Sequence, residues 1–142
     1  MKRTISKVLS PNDAGETGAH QAGLLIPKEE RLLSFFPRLD ASIPNPRVHL
    51  VFRDQTGVPW EFAFIYYNKQ LFGGTRNEYR LTRMTRYIRE ASLASGDEVQ
   101  LHHDDDGGYS VSYRRENQPE PVQSSVGKTV IRLGKGWKVI NI

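Results

Sequence analysis

The chain has 142 residues, no cysteine, 37% hydrophobic and 25% charged residues, and a formal net charge of +4. This is the size of one domain with a full core, and it excludes disulfide staples and thiolate metal sites. No apolar run approaches the roughly 20 residues of a membrane span, and Met1-Lys2-Arg3-Thr4 lacks the following apolar stretch of a signal peptide. The expectation is a cytoplasmic protein with no membrane partner.

Residues 4–9 alternate in polarity and predict a strand. Residues 10–23 are rich in turn formers, with Gly15, Gly18 and Gly23, and predict a long loop of the kind that carries function. Residues 24–26 form a short apolar strand. Pro27 then opens a predicted helix over 28–36, which Pro37 closes. Residues 47–53 alternate around Val48, Leu50 and Phe52. Asp54-Gln55-Thr56-Gly57 turns the chain into an aromatic-rich partner strand over 60–67. Gly73-Gly74 breaks the chain before a strand over 78–82 and a short helix over 84–91. Residues 98–102 and 109–114 flank an Asp106-Gly107-Gly108 hairpin turn. Residues 116–127 read as a polar linker. A last hairpin over 129–133 and 137–142 bends at Gly134-Lys135-Gly136. Many short strands with two short helices predict a mainly β barrel or pseudobarrel.

Charge is concentrated. Residues 69–90 hold six Lys and Arg against two Glu, which equals the excess of the whole chain. Asp97, Glu98, Asp104, Asp105 and Asp106 form the opposite pole.

Two blocks carry a family resemblance. One is the run from Ser10-Pro11-Asn12-Asp13 through Thr17-Gly18-Ala19-His20-Gln21-Ala22-Gly23-Leu24-Leu25-Ile26-Pro27. The other is Ile65-Tyr66-Tyr67-Asn68 with Phe72-Gly73-Gly74-Thr75-Arg76-Asn77-Glu78-Tyr79-Arg80-Leu81-Thr82-Arg83. In order and separation they resemble the effector-DNA-binding N-terminal domain of EcoRII-type restriction endonucleases, over roughly residues 5–115. Residues 81–101, with Gly96-Asp97-Glu98-Val99, also look like the plant B-three DNA-binding domain. The resemblance implies a seven-stranded open pseudobarrel with two short α-helices over residues 1–116. A linker and C-terminal hairpin or extension would fill 117–142. It implies an N-arm at about 10–23 and a C-arm at about 73–83 that grip the major groove. It also implies a short G·C-rich site such as CC(A/T)GG, no metal or cofactor, and a nuclease domain elsewhere on the same or another chain. The chain departs from the family pattern at Leu25, where EcoRII is aromatic, and at Gly74 and Tyr79, where it is basic.

The residue chemistry agrees. Arginine forks make bidentate bonds to guanine O6 and N7, which suits Arg76 and Arg80. Glu78 between them is repelled by phosphate but accepts from cytosine N4. On a strand these three side chains share one face, and Asn77 points to the other. Asn77, Tyr79, His20 and Gln21 complete the candidate base readers. Lys7, Ser10, Asn12, Thr17, Lys69, Thr75, Arg83 and Arg86 are candidate backbone contacts, which position without specifying.

Other constellations are weaker. His102 and His103 are adjacent on a strand and face opposite ways, so they do not share a metal. Asp54 and Glu61 lack the neighbouring lysine of a Mg²⁺-dependent nuclease. Gly134-Lys135-Gly136 lacks the spacing of a nucleotide-binding loop. A compact metal-dependent endonuclease is one alternative class. A non-specific nucleic-acid or protein-interaction barrel is the other.

Overall fold

The computed structural model describes residues 2–16, 23–117 and 129–141. Nine described strands join one sheet: β1 (Arg3–Val8), β2 (Leu24–Ile26), β3 (Arg47–Arg53), β4 (Pro59–Tyr67), β5 (Glu78–Thr82), β6 (Glu98–His103), β7 (Tyr109–Arg114), β8 (Thr129–Arg132) and β9 (Trp137–Asn141). Their order is β2-β5-β4-β3-β7-β6-β1-β9-β8. Every pairing is antiparallel except β3 with β7, a parallel join of two residue pairs, Phe52 with Tyr109 and Arg53 with Ser110. The mainly β half-barrel expected from the sequence is present. The strand count exceeds seven because β9 adds to β1 in the same sheet, with Lys7 opposite Trp137.

Alternation explains the core. Phe62 and Phe64 on β4, Phe52 on β3, Leu81 on β5 and Leu101 on β6 point inward and are almost fully buried. Phe36 stacks on Phe64 at 4.2 Å, Phe64 on Tyr79 at 5.7 Å and Tyr79 on Tyr66 at 4.2 Å, a ladder of rings across the sheet. Trp137 is only 1% exposed, and its indole Nε1 donates to the Leu25 carbonyl at 3.1 Å. The C-terminal hairpin therefore touches β2, at the opposite edge of the sheet, and closes the core from that side. A buried ion group adds a second tie. The Glu98 carboxylate, 3% exposed, accepts from Arg114 at 2.6 Å and pairs with Lys138 of β9 at 2.9 Å.

The first helix is shorter than the sequence predicts. Helix α1 spans Glu30–Leu33, and Glu29 before it is extended, with φ −121° and ψ 120°. Phe35 and Phe36 continue through N–H bonds to Leu32 and Leu33, three residues back, so the chain tightens before Pro37. Helix α2 spans Thr85–Glu90 and buries Tyr87 and Ile88.

His102 and His103 diverge as strand alternation requires. His103 stacks on Tyr109 at 4.1 Å. His102 is held between the hydroxyls of Thr4 and Ser112, each at 2.9 Å. Burial pushes its pKa down to about 4. The unfolded chain, with His near its ordinary value of about 6.5, takes up that proton first. The stability from neutral His102 is thus fully present above pH 6.5 and lost as pH falls from there through 4. We expect the thermal midpoint to decline between pH 7 and pH 5, before the carboxylates titrate. His102→Gln should flatten that decline, and an unchanged slope in the variant would refute the assignment.

Candidate nucleic-acid interface

Two loops adjoin β5, one between β1 and β2 and one between β4 and β5. The first joins β1 to β2. At its foot the Ser10 N–H donates to Asp13 Oδ2 at 3.0 Å, and the Asp13 N–H donates to the Ser10 hydroxyl at 3.1 Å. The Lys7 ammonium pairs with Asp13 at 3.1 Å and donates to the Val8 carbonyl at 3.0 Å. The Ser95 N–H donates to the Glu16 carboxylate at 3.3 Å. The loop returns through Gly23, whose φ is +73°. A Cβ there would stand 1.9 Å from the Leu81 carbonyl oxygen, so glycine alone permits this approach to β5.

The second loop joins β4 to β5. It begins with a 3₁₀ turn over Lys69–Phe72, closed by Gly73 at φ +90°. The Gly74 N–H donates to Lys69 and the Gln70 N–H to Arg76, which fold the loop back on itself. Its root is fastened by Asn68, which is completely buried. The Asn68 Oδ1 accepts from the Asn45 N–H at 2.7 Å, and its Nδ2 donates to the carbonyls of Ile43 at 2.8 Å and Ala41 at 3.2 Å.

The strip Arg76-Glu78-Arg80 lies where the loops meet. Arg76 precedes β5, yet its Nε donates to Glu78 Oε1 at 2.7 Å, and its guanidinium lies 3.7 Å from the centre of the Tyr67 ring. Arg80 approaches the same oxygen at 3.3 Å and donates from Nη2 to Glu78 Oε2 at 3.4 Å. Its Nη1 reaches the Gly23 carbonyl at 3.4 Å, bridging to the first loop. Partial burial raises the Glu78 pKa, but the bonds from Arg76 and Arg80 outweigh it and leave the carboxyl below its ordinary value. Glu78 stays ionised and holds both forks in place.

A match to the family model for the N-terminal domain of restriction endonuclease EcoRII covers residues 3–95 and so includes both loops and the strip. The chain belongs to that family. The EcoRII restriction enzyme of Escherichia coli is 44% identical over 82 residues, 54% of this chain. A putative B3 domain-containing protein of Oryza sativa subsp. japonica is 33% identical over 113 residues, 78% of this chain. The matches span 33% of the rice protein and 20% of EcoRII. The B3 domain of the UbaLAI restriction endonuclease, solved with cognate DNA, superposes with a TM-score of 0.53 at 25% identity, over 79% of this chain and 65% of that one. This member of the EcoRII N-terminal domain family thus has the B3 pseudobarrel fold.

Within this family member the predicted residues divide. Arg76, Glu78 and Arg80 come together as expected, and Lys69 and Thr75 are exposed beside them on the second loop. Tyr79 turns to the other face of β5 and joins the ring ladder. Asn77 accepts from the Tyr66 hydroxyl at 2.8 Å, away from the strip. Lys7 is 8% exposed and occupied by Asp13, and Ser10 is used in the foot of the loop. Asn12 lies on the same foot. Arg83 and Arg86 lie beyond the far end of β5. Arg83 is 3.7 Å from Glu61, and Arg86 pairs with Glu90 at 3.0 Å. Thr17, His20 and Gln21 lie outside the described residues. The sequence reading missed Asn68 as a structural pin, since nothing local marks one asparagine after an aromatic strand as buried.

Proposed function

We propose that this domain recognises double-stranded DNA as the effector- or target-site-binding part of a restriction endonuclease. The loop from β1 to β2 is the N-arm and the loop from β4 to β5 the C-arm. The single observation that carries the reading is the preset strip. Two guanidinium forks, Arg76 exposed and Arg80 half-buried, are fixed by one carboxylate on one face of β5, and Arg80 reaches the N-arm. Glu78 Oε1 takes both Nε contacts, which leaves Oε2 with one long bond and spare lone-pair capacity for a cytosine N4. The Tyr67 ring and Glu78 fix the plane of Arg76 before binding, so less side-chain entropy is lost on contact.

The preferred target is a short G·C-rich site such as CC(A/T)GG, read in the major groove in the cytoplasm with no metal or cofactor. Cleavage belongs to a nuclease domain on the same or another chain. The acidic candidates for a built-in nuclease have other tasks. Asp54 accepts from Thr56, Val58 and the Trp60 indole, which together draw its pKa to about 2. Glu61 faces His49 and Arg83. Among the described residues no helix is long and apolar enough to cross a membrane.

The test is selection of bound duplexes from a random pool, followed by mobility shifts on the selected site. Arg76→Ala, Glu78→Ala and Arg80→Ala should each lose ~1–3 kcal/mol of discrimination while the fold persists. Lys69→Ala should instead weaken all sequences about equally and lower the salt slope by about one. An unaltered site preference in all three strip variants would overturn the assignment.

A further inference from the structure

We infer that the turn of the C-terminal hairpin is a third DNA contact, with Lys135 a phosphate clamp at the foot of the N-arm. This rests on the DNA-binding reading above. The turn lies beyond residues 3–95, the span that matches the family model.

A cavity of about 460 Å³ opens between the N-arm foot and the reading strip. Lys7, Ser10, Asn12 and Asp13 line it from one side, Arg80 from another, and Lys135 completes it. The hairpin is not loosely placed there. A Cβ on Gly136 would meet the Val8 carbonyl oxygen at 3.0 Å and the Lys7 ammonium at 3.2 Å. One residue on, Trp137 is buried and bonded to Leu25. The turn thus packs on both legs of the N-arm, the outgoing leg at Lys7 and Val8 and the returning leg at Leu25.

Within this cavity the cations have different freedom. The Lys7 ammonium is buried against Asp13, and Arg80 is engaged by Glu78 and Gly23. Lys135 is exposed. Its position and charge supply what Lys7 cannot, an ammonium free to meet a phosphate passing the N-arm. Its backbone gives an independent reason. Lys135 has φ 62° and ψ 28°, the left-handed region. Tight hairpin turns usually place glycine or asparagine there, and another side chain costs roughly 1–2 kcal/mol. A strained lysine at a hairpin tip, flanked by two glycines, fits a residue kept for its charge rather than for the turn.

Lys135→Gly separates the two effects, because it removes the charge and relieves the backbone. The whole chain is titrated with the selected duplex and with an unrelated duplex over a range of salt. Lys135→Asn provides a second left-handed-tolerant variant, and Arg132→Gln removes a cation from the same hairpin outside the cavity. We expect Lys135→Gly and Lys135→Asn to bind both duplexes about fivefold more weakly, with the salt slope lower by about one and site preference unchanged. The thermal midpoint of Lys135→Gly should hold or rise, and Lys135→Arg should bind as the parent does. Parent-like affinity and slope in Lys135→Gly would overturn the inference and leave the DNA-binding reading intact. Loss confined to the selected duplex would also overturn it, since a phosphate clamp carries no sequence information. If the parent binds no duplex at any salt, the inference and that reading fail together.

Discussion

Gly23→Ala is expected to undock the N-arm and to reduce specific DNA affinity at least 100-fold. Two costs add at this position. An L-residue in the left-handed region costs roughly 1–2 kcal/mol. The added Cβ also meets backbone that has no rotamer to change, the Leu81 carbonyl oxygen at 1.9 Å and the Thr82 Cα at 2.6 Å. Relief requires β2 to leave β5, which breaks the pairings Leu24 with Leu81, Leu25 with Arg80 and Ile26 with Tyr79. The bond from Arg80 to the Gly23 carbonyl goes with them. We expect a loss of about 3 kcal/mol or more in chemical denaturation. Gly57→Ala is the matched control. Gly57 has φ +87°, but its Cβ would meet nothing within 4 Å, so that variant should show only the backbone cost. Equal losses in the two variants would mean that the close approach to β5 has no energetic weight.

Asn68→Ala should cost about 2–3 kcal/mol, the upper part of the range for leaving buried polar groups unsatisfied. Truncation leaves the Asn45 N–H and the Ala41 and Ile43 carbonyls without their partner, all behind a side chain with no solvent access. Asn68→Asp should be no better. It keeps an acceptor for Asn45 but turns an anion toward two carbonyl oxygens. The Asn68 backbone carbonyl still accepts the Leu71 N–H, but with the side-chain tether to the 41–45 segment gone the start of the C-arm turn should loosen along with that segment. Urea denaturation gives the number, and a loss below 1 kcal/mol in Asn68→Ala would contradict the hub.

The strands were legible because alternation and turn chemistry agree along most of the chain; β2, β3, β5 and β7 begin and end where the pattern puts them. The first helix was overextended because periodicity alone does not reveal that Glu29 is extended. The clustering of Arg76, Glu78 and Arg80 was legible from spacing and opposite charge, since alternate residues share a strand face and a carboxylate between two guanidinium groups pairs with both. Tyr79 shows a conflict between two kinds of reading. Strand alternation separates it from Glu78 and Arg80, whereas the motif placed it among the readers, and alternation governs. Lys7 and Asn68 were illegible for a common reason. Whether a polar side chain is swallowed by the fold depends on residues outside its own strand or turn, Asp13 and Trp137 around one and the 41–45 segment around the other.

The short parallel join between β3 and β7 divides the sheet into two leaves, one of four strands and one of five. The N-arm departs from β1 in the larger leaf and lands on β2 in the smaller, while the C-arm is rooted wholly in the smaller. The two loops therefore rest on different parts of the sheet, joined across the seam by two residue pairs. Trp137, anchored in one leaf and bonded to the other, ties the two leaves together across that seam.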